Sequence, residues 1–244
     1  MKSLKVMPKK GKQMERANRM EVSAYSPDAL LGRPLNDIEA RNAPGLLYTA
    51  GPMKIPIPRP RVAIVGTREP TARGIEDADL IARILVEKGV TIVSGLAKGI
   101  DTAAHKGAIT AGGKTIAVIG TPLDKSYPAQ NSELQAEIIK SHLAISQFRV
   151  GSRVFKSNFV IRNRTMALIA DASVVIQAGE TSGTLSQAWE ALRLGRPLFI
   201  WKPIFETSLR WPHEMVKYGA VKLSDPKDVL QSLPSTAAIL KISA

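Results

Sequence analysis

Apolar residues change their period several times along this chain, and the changes mark out its elements. Val62-Ala63-Ile64-Val65 is a continuous apolar run, as expected of a strand covered on both faces, and it stops at Gly66-Thr67-Arg68. Ile75, Ala78, Ile81, Ala82 and Leu85 then recur at helical spacing. The alternation continues, predicting strands at 62–65, 90–93, 114–119, 143–146, 173–177 and 197–201. Helices are predicted at 73–88, 101–111, 134–140, 159–170 and 183–194. Buried-type strands separated by amphipathic helices predict an α/β fold with a doubly wound, mostly parallel sheet. Before residue 61 the pattern is different. Residues 1–20 are rich in Lys and Arg with little apolar periodicity, and residues 54–60 are too proline-dense for regular helix. The chain therefore reads as a basic arm and extended lead-in over 1–60, followed by one domain over 61–244.

Charge narrows the class of partner. The 244 residues carry a formal net charge of +13 with only 5% aromatics, a balance that favours a polyanion, most often nucleic acid. The plainer alternative is a basic protein with no such partner, because net charge speaks to association and not to fold. With no cysteine, disulfides, thiol catalysis and Cys-ligated zinc are excluded, and His105, His142 and His213 are too scattered for a histidine metal cluster. The longest apolar stretch, 166–178, is too short to span a bilayer and contains Asp171. Residues 1–20 lack the apolar core of a signal peptide, so no membrane partner and a cytoplasmic setting are expected.

In open α/β sheets, ligands bind outside the carboxyl ends of the strands. Four turns are expected there: Gly66-Thr67-Arg68, the stretch from Ser94 to Asp101, Gly120-Thr121-Pro122, and the stretch from Gly179 to Thr184. Gly95 and Gly99 permit close backbone approach and positive φ, the helix start after them favours an anion, and Ser94 and Lys98 offer a hydroxyl and a cation. The turn is equally an ordinary strand-to-helix connection. Glu69-Pro70-Thr71 after Arg68 breaks the G-x-G-x-x-G dinucleotide pattern, and no G-x-x-x-x-G-K-[ST] is present, so no nucleotide cofactor is indicated. Lys156, Phe159, Arg162 and Arg164 put three cations and a ring at the start of a helix. Cations oppose the dipole there, a conflict that a bound phosphate relieves, and Phe159 suits stacking on an unpaired base. The structural alternative has Phe159 packed on the core and the arginines solvated or paired with acids. Asp101 reads as a helix N-cap and His105 as a packed residue.

These blocks together resemble the DprA/Smf family of DNA-processing proteins. The resemblance runs through Val65-Gly66-Thr67-Arg68, the Ser94–Asp101 turn with Ala104-His105, Gly120 with Asp124, Tyr127-Pro128 and Asn131, then Phe159 with Arg162-Asn163-Arg164, and Ser182-Gly183-Thr184-Leu185. It implies an extended Rossmann-like domain that is not an enzyme, carries no cofactor, binds single-stranded DNA, forms a homodimer and passes incoming DNA to a RecA-type recombinase in natural transformation. The DNA-binding positions it implies are Arg68, Ser94, Gly95, Lys98, Gly99, Lys156, Phe159, Arg162 and Arg164. Gly66, Thr67, Gly120, Ser182, Gly183 and Thr184 stand as turn residues for a phosphate or nucleotide. The chain departs from the family pattern at Ser146-Gln147, where Ser-Glu is usual, and at Trp201-Lys202-Pro203. No helical N-terminal or winged-helix C-terminal domain is evident in it, which leaves a role in a mobile-element or defence setting open.

Two rivals share this sheet. A phosphoribohydrolase-like enzyme needs acids just after the Gly-Thr pair, and this chain has Ser186-Gln187 there with Glu190 further on. A sensor for a free nucleotide would use the same phosphate cradle.

Overall fold

The computed structural model describes residues 20–234, so the basic arm expected over 1–20 lies almost wholly outside the described residues. One nine-stranded sheet organises them, in the order β1-β2-β6-β5-β4-β3-β7-β8-β9. The strands are β1 (Ser23–Tyr25), β2 (Leu47–Ala50), β3 (Arg61–Gly66), β4 (Thr91–Ser94), β5 (Thr115–Val118), β6 (Leu143–Ser146), β7 (Ala172–Gln177), β8 (Leu198–Trp201) and β9 (Val221–Leu223). From β6 through β3 to β9 every pairing is parallel. The helices are α1 (Pro27–Leu31), α2 (Asp37–Ala40), α3 (Ala72–Glu87), α4 (Ile100–Thr110), α5 (Ser132–Ser141), α6 (Ser157–Ile169), α7 (Thr184–Arg193), α8 (Trp211–Lys217) and α9 (Asp228–Gln231). Successive strands run outward from β3 in one direction through β4, β5 and β6, and in the other through β7, β8 and β9. The direction reverses at β3 and β7, the place where such sheets open a crevice.

The stretch read as an extended lead-in is more than that. β1 pairs antiparallel with β2, and β2 pairs antiparallel with β6, so both extend the sheet. Leu30, Leu31, Leu47 and Ile57 join the same apolar core as Val65, Val118 and Ile145. Side-chain charges fasten this segment at the amino ends of the strands. Arg33 binds both oxygens of Glu39 at 2.8 and 2.6 Å, and Arg196, just before β8, pairs with the same carboxylate. Asp171 accepts the Arg61 backbone N–H at 2.8 Å and the Arg59 Nε at 2.8 Å. Arg61 is 1% exposed, and its guanidinium donates to the carbonyls of Ile169 and Ile57 at 2.7 and 2.8 Å. Burial lowers the Arg61 guanidinium to about 10 despite the neighbouring Asp171. These carbonyls and Asp171 supply the partners that offset the cost of burying such a charge.

On the other side of the sheet His105, in α4, is fully buried. Its Nδ1 lies 2.7 Å from Thr115 Oγ1, and that hydroxyl donates to the Ile92 carbonyl, so Nδ1 carries the hydrogen and Nε2 is bare and unpartnered. Burial, aided by the positive charges of His142 and Arg162, pushes the imidazole from 6.5 down to about 3. The unfolded chain takes up this proton first. Stability is therefore complete above pH 6.5 and falls as pH drops toward 3. Glu39 acts in the same direction lower down. Burial works against its charge, but Arg33, the Asn36 N–H and Arg196 outweigh it and hold the carboxyl at about 2, so its contribution is lost as pH falls below 4.5. The urea midpoint is expected to fall steeply between pH 6.5 and 4, and to fall less over that interval in His105→Gln; equal pH slopes in the two proteins would contradict this assignment.

Candidate nucleic-acid interface

A cleft of about 680 Å³ opens at the carboxyl ends of β3 and β7. Gly66, Thr67 and Arg68 form one wall, the inner face of α6 a second, and the turn before α7 a third. The Thr67 N–H donates to the Gln177 carbonyl at 2.7 Å, which ties the ends of the two strands together and aims the following loop outward. Arg68 is exposed, and its Cζ lies 5.7 Å from the centroid of the Phe159 ring, within cation–π range. Tyr127 stands on the other side, its ring 5.0 Å from that of Phe159 and tilted by 49°. Lys156, exposed just before α6, also lines the cleft.

Phe159 has a floor. A Cβ on Gly120, at the end of β5, would sit 2.6 Å from Phe159 Cδ1, so only glycine lets the ring lie where it does. Gly120 itself is buried and holds up the ring instead of facing the cleft as a phosphate turn. The platform is therefore a half-buried phenylalanine with a tyrosine beside it and a guanidinium over it. Such a face suits a flat base once Arg68 swings off the ring, which also frees its guanidinium for the backbone.

The Ser94–Asp101 turn serves a different purpose from the one its sequence suggests. Ser94 is fully buried and its hydroxyl donates to the Ile64 carbonyl at 2.7 Å. The backbone N–H groups of Gly95 and Ala97 both point at Asp101 Oδ2, at 3.1 and 3.4 Å. Gly99, at φ 85°, caps α4. The N-cap expected at Asp101 is thus Gly99, and Asp101 sits in the first turn holding the glycine loop. Leu96 at φ 59° is strained for a branched-chain residue; it is buried, and its carbonyl accepts from Asn131 Nδ2 at 2.9 Å. Arg162 fills the space above Gly95 that a Cβ would take and donates from Nη1 to the Val118 carbonyl at 2.7 Å. Burial pushes the Asp101 carboxyl up and the Arg162 guanidinium down, and each charge counters the shift of the other. Arg162 is 5% exposed, so it pins the turn and shows the cleft only a small part of its surface.

The sequence-predicted residues thus divide. Gly66, Thr67, Arg68, Lys156, Phe159, Arg162, Ser182, Gly183 and Thr184 line the cleft. Gly95 and Lys98 border a small adjoining recess with Arg68, Tyr127 and Phe159. Lys98 Nζ is held 3.1 Å from Glu69 Oε1, an acid in the cleft wall. Arg164 lies on the outer side of α6, where its Nε donates to Glu190 of α7 at 2.9 Å. Ser94, Gly99, Gly120 and Arg164 do not line the cleft. Tyr127 is the residue the sequence reading named only as part of a motif; its signal was an aromatic next to proline in a loop following a strand that ends in glycine. In the last turn, Ser182 Oγ accepts the Thr184 N–H at 3.2 Å and Asn163 Nδ2 donates to the Gly183 carbonyl at 3.2 Å, which positions that loop against α6.

The hydrolase rival meets specific obstacles. Gln187, where an acid is required, is buried and donates to Ser173 Oγ at 2.9 Å. Glu190 is engaged by both Arg164 and Arg193. Among the described residues no group of three or more His, Asp or Glu side chains is placed to hold a metal ion, and no helix is long and apolar enough to cross a membrane.

The comparisons with known proteins agree with one another. The family model described as DNA recombination-mediator protein A matches residues 25–234. DNA processing protein DprA of Streptococcus pneumoniae is 39% identical over 193 residues, covering 79% of this chain and 68% of that relative. The X-ray structure of the Streptococcus pneumoniae protein superposes with a TM-score of 0.74, covering 93% of this chain and 79% of the other at 31% identity. A structure of DNA processing protein A from Helicobacter pylori, reported for its single-stranded DNA binding mode, superposes with a TM-score of 0.73 at 27% identity, covering 91% of this chain and 97% of the other. Motifs, sheet order and relatives converge: the chain belongs to the DNA recombination-mediator protein A family, also called DprA or Smf.

Proposed function

We propose that this protein binds single-stranded DNA in the cleft at the carboxyl ends of β3 and β7. The observation that carries the reading is the grouping of Arg68, Tyr127, Lys156 and Phe159, from two loops and the start of α6, on one concave surface. The rings supply faces for unpaired bases, and the cations supply contacts to phosphates without reading sequence. Duplex DNA keeps its bases stacked inside and cannot offer a face to Phe159. Arg162 and Ser94 support the walls, and the turn at Ser182, Gly183 and Thr184 completes the rim of the cleft. Membership of the recombination-mediator family supports the wider role, in which the bound strand is passed to a RecA-type recombinase by a homodimer in the cytoplasm, in transformation or a related DNA-uptake or defence process.

A fluorescence anisotropy titration with oligo-dT and with duplex of equal length tests the binding. The single strand is expected to bind well above the duplex, with affinity falling linearly in log salt. Arg68→Ala is expected to weaken oligo-dT binding, to reduce the salt slope by about one and to leave the melting temperature unchanged. Equal affinity for the two forms of DNA rejects the proposal. Saturable binding of a mononucleotide in calorimetry, without oligo-dT binding, favours the nucleotide sensor instead.

A further inference from the structure

The loop between β6 and α6 carries apolar side chains that the cleft does not use. Val150, Val154 and Phe155 are 43%, 39% and 59% exposed, and Arg149, Arg153 and Lys156 alternate with them. An isolated exposed aliphatic residue is ordinary, but a phenylalanine more than half exposed among three exposed cations is costly to leave facing water. The loop is held in place by polar ties. The Gly151 N–H donates to the Asp124 carboxylate at 3.2 Å, and Lys125 Nζ donates to the Ser152 carbonyl at 2.8 Å. Asp124 and Lys125 belong to the same loop as Tyr127, so the two loops share one anchor. Phe155 also directs the start of α6: its carbonyl accepts the Asn158 N–H at 3.1 Å. Val160, where a staple partner for Phe155 would lie, is itself 51% exposed and lines the cleft, so the ring is not buried against the helix.

We infer that Phe155, with Arg153 and Lys156 on either side, is a second nucleobase platform at the mouth of the cleft, which takes a later nucleotide of the strand whose first base stacks on Phe159. The inference rests on the single-strand reading above and extends it. Its occupant follows from chemistry and continuity. Lys156 lines the cleft and adjoins Phe155 in the chain, so a strand leaving Phe159 meets cations and then an uncovered ring. A cationic and aromatic surface matches a flexible polyanion with exposed bases.

The test is a length series of oligo-dT from about four to about twenty nucleotides, titrated against wild type, Phe155→Ala and Phe159→Ala, with melting temperatures measured in parallel. Phe155→Ala is expected to bind the shortest oligomers as wild type does and to bind long ones about 5- to 150-fold more weakly, the range that one base–aromatic stack represents. Phe159→Ala is expected to lose affinity at every length. In Phe155→Trp, long oligomers are expected to quench fluorescence beyond the change seen in wild type, and short ones are not. Wild-type affinity at all lengths in Phe155→Ala overturns the second platform, as does an equal loss at all lengths, which would make Phe155 part of the first. Wild type that binds no oligomer overturns the single-strand reading itself, a result distinct from either.

Discussion

Replacing Arg162 with leucine is expected to destabilise the fold by about 1–3 kcal/mol, the cost of leaving a buried acceptor without its donor. The side chain reads in sequence as one cation of a DNA-binding cluster. In the fold it lies over Gly95, bonded to the Val118 carbonyl, and its charge opposes that of Asp101 across the glycine turn. Without it, Asp101 keeps its bonds to Gly95 and Ala97 but sits buried with no counter-charge. The turn, already strained at Leu96, then loses the group that packs against it. Chemical denaturation should report this loss in wild type against Arg162→Leu. A surface role predicts the reverse pattern: lowered DNA affinity at unchanged stability, which is what Arg68→Ala should show. The two arginines thus separate wall from contact.

The second large effect concerns the ring. Phe159→Ala should cost about 1–3 kcal/mol of oligo-dT affinity while the protein stays folded. Gly120→Ala should lower affinity in the same direction, although residue 120 makes no contact of its own with a ligand, because its Cβ would stand 2.6 Å from the ring and force it off the platform. The combination is informative. If the glycine variant acts only by moving the ring, then adding it to Phe159→Ala should change little further, and the two losses should fail to add. Full additivity would mean that Gly120 contributes by another route.

How far the sequence carried this reading can be seen on α6. Phe159, Arg162, Asn163 and Met166 recur at positions i, i+3, i+4 and i+7, and these line the cleft, whereas Arg164 falls on the opposite side and pairs with Glu190. The helical period alone separates Arg162 from Arg164. Reading the basic residues as one cluster overlooked it. What the period does not reveal is that Arg162 packs on a glycine turn that comes from a distant strand. β3, β4, β5, β6, β7 and β8 were legible because each is an apolar run bounded by turn residues. β1, β2 and β9 were not. They are three or four residues long. β2 exists as a strand because β6 offers it an edge, and β1 because β2 then offers the next one, a tertiary effect invisible to local pattern. The second glycine turn shows the same limit. Its composition suggests a phosphate cradle, but the buried carboxylate of Asp101 already occupies two of its amides.

The most direct measurement of where the strand lies is photocrosslinking of an oligo-dT containing 4-thiothymidine, followed by peptide mapping. The account predicts crosslinks to peptides carrying Tyr127 or Phe159, suppressed by excess unlabelled oligo-dT and weakened by Arg68→Ala. Crosslinks confined to the exposed aromatic pair Trp189 and Tyr218, whose rings lie 5.1 Å apart on α7 and just after α8, would contradict it.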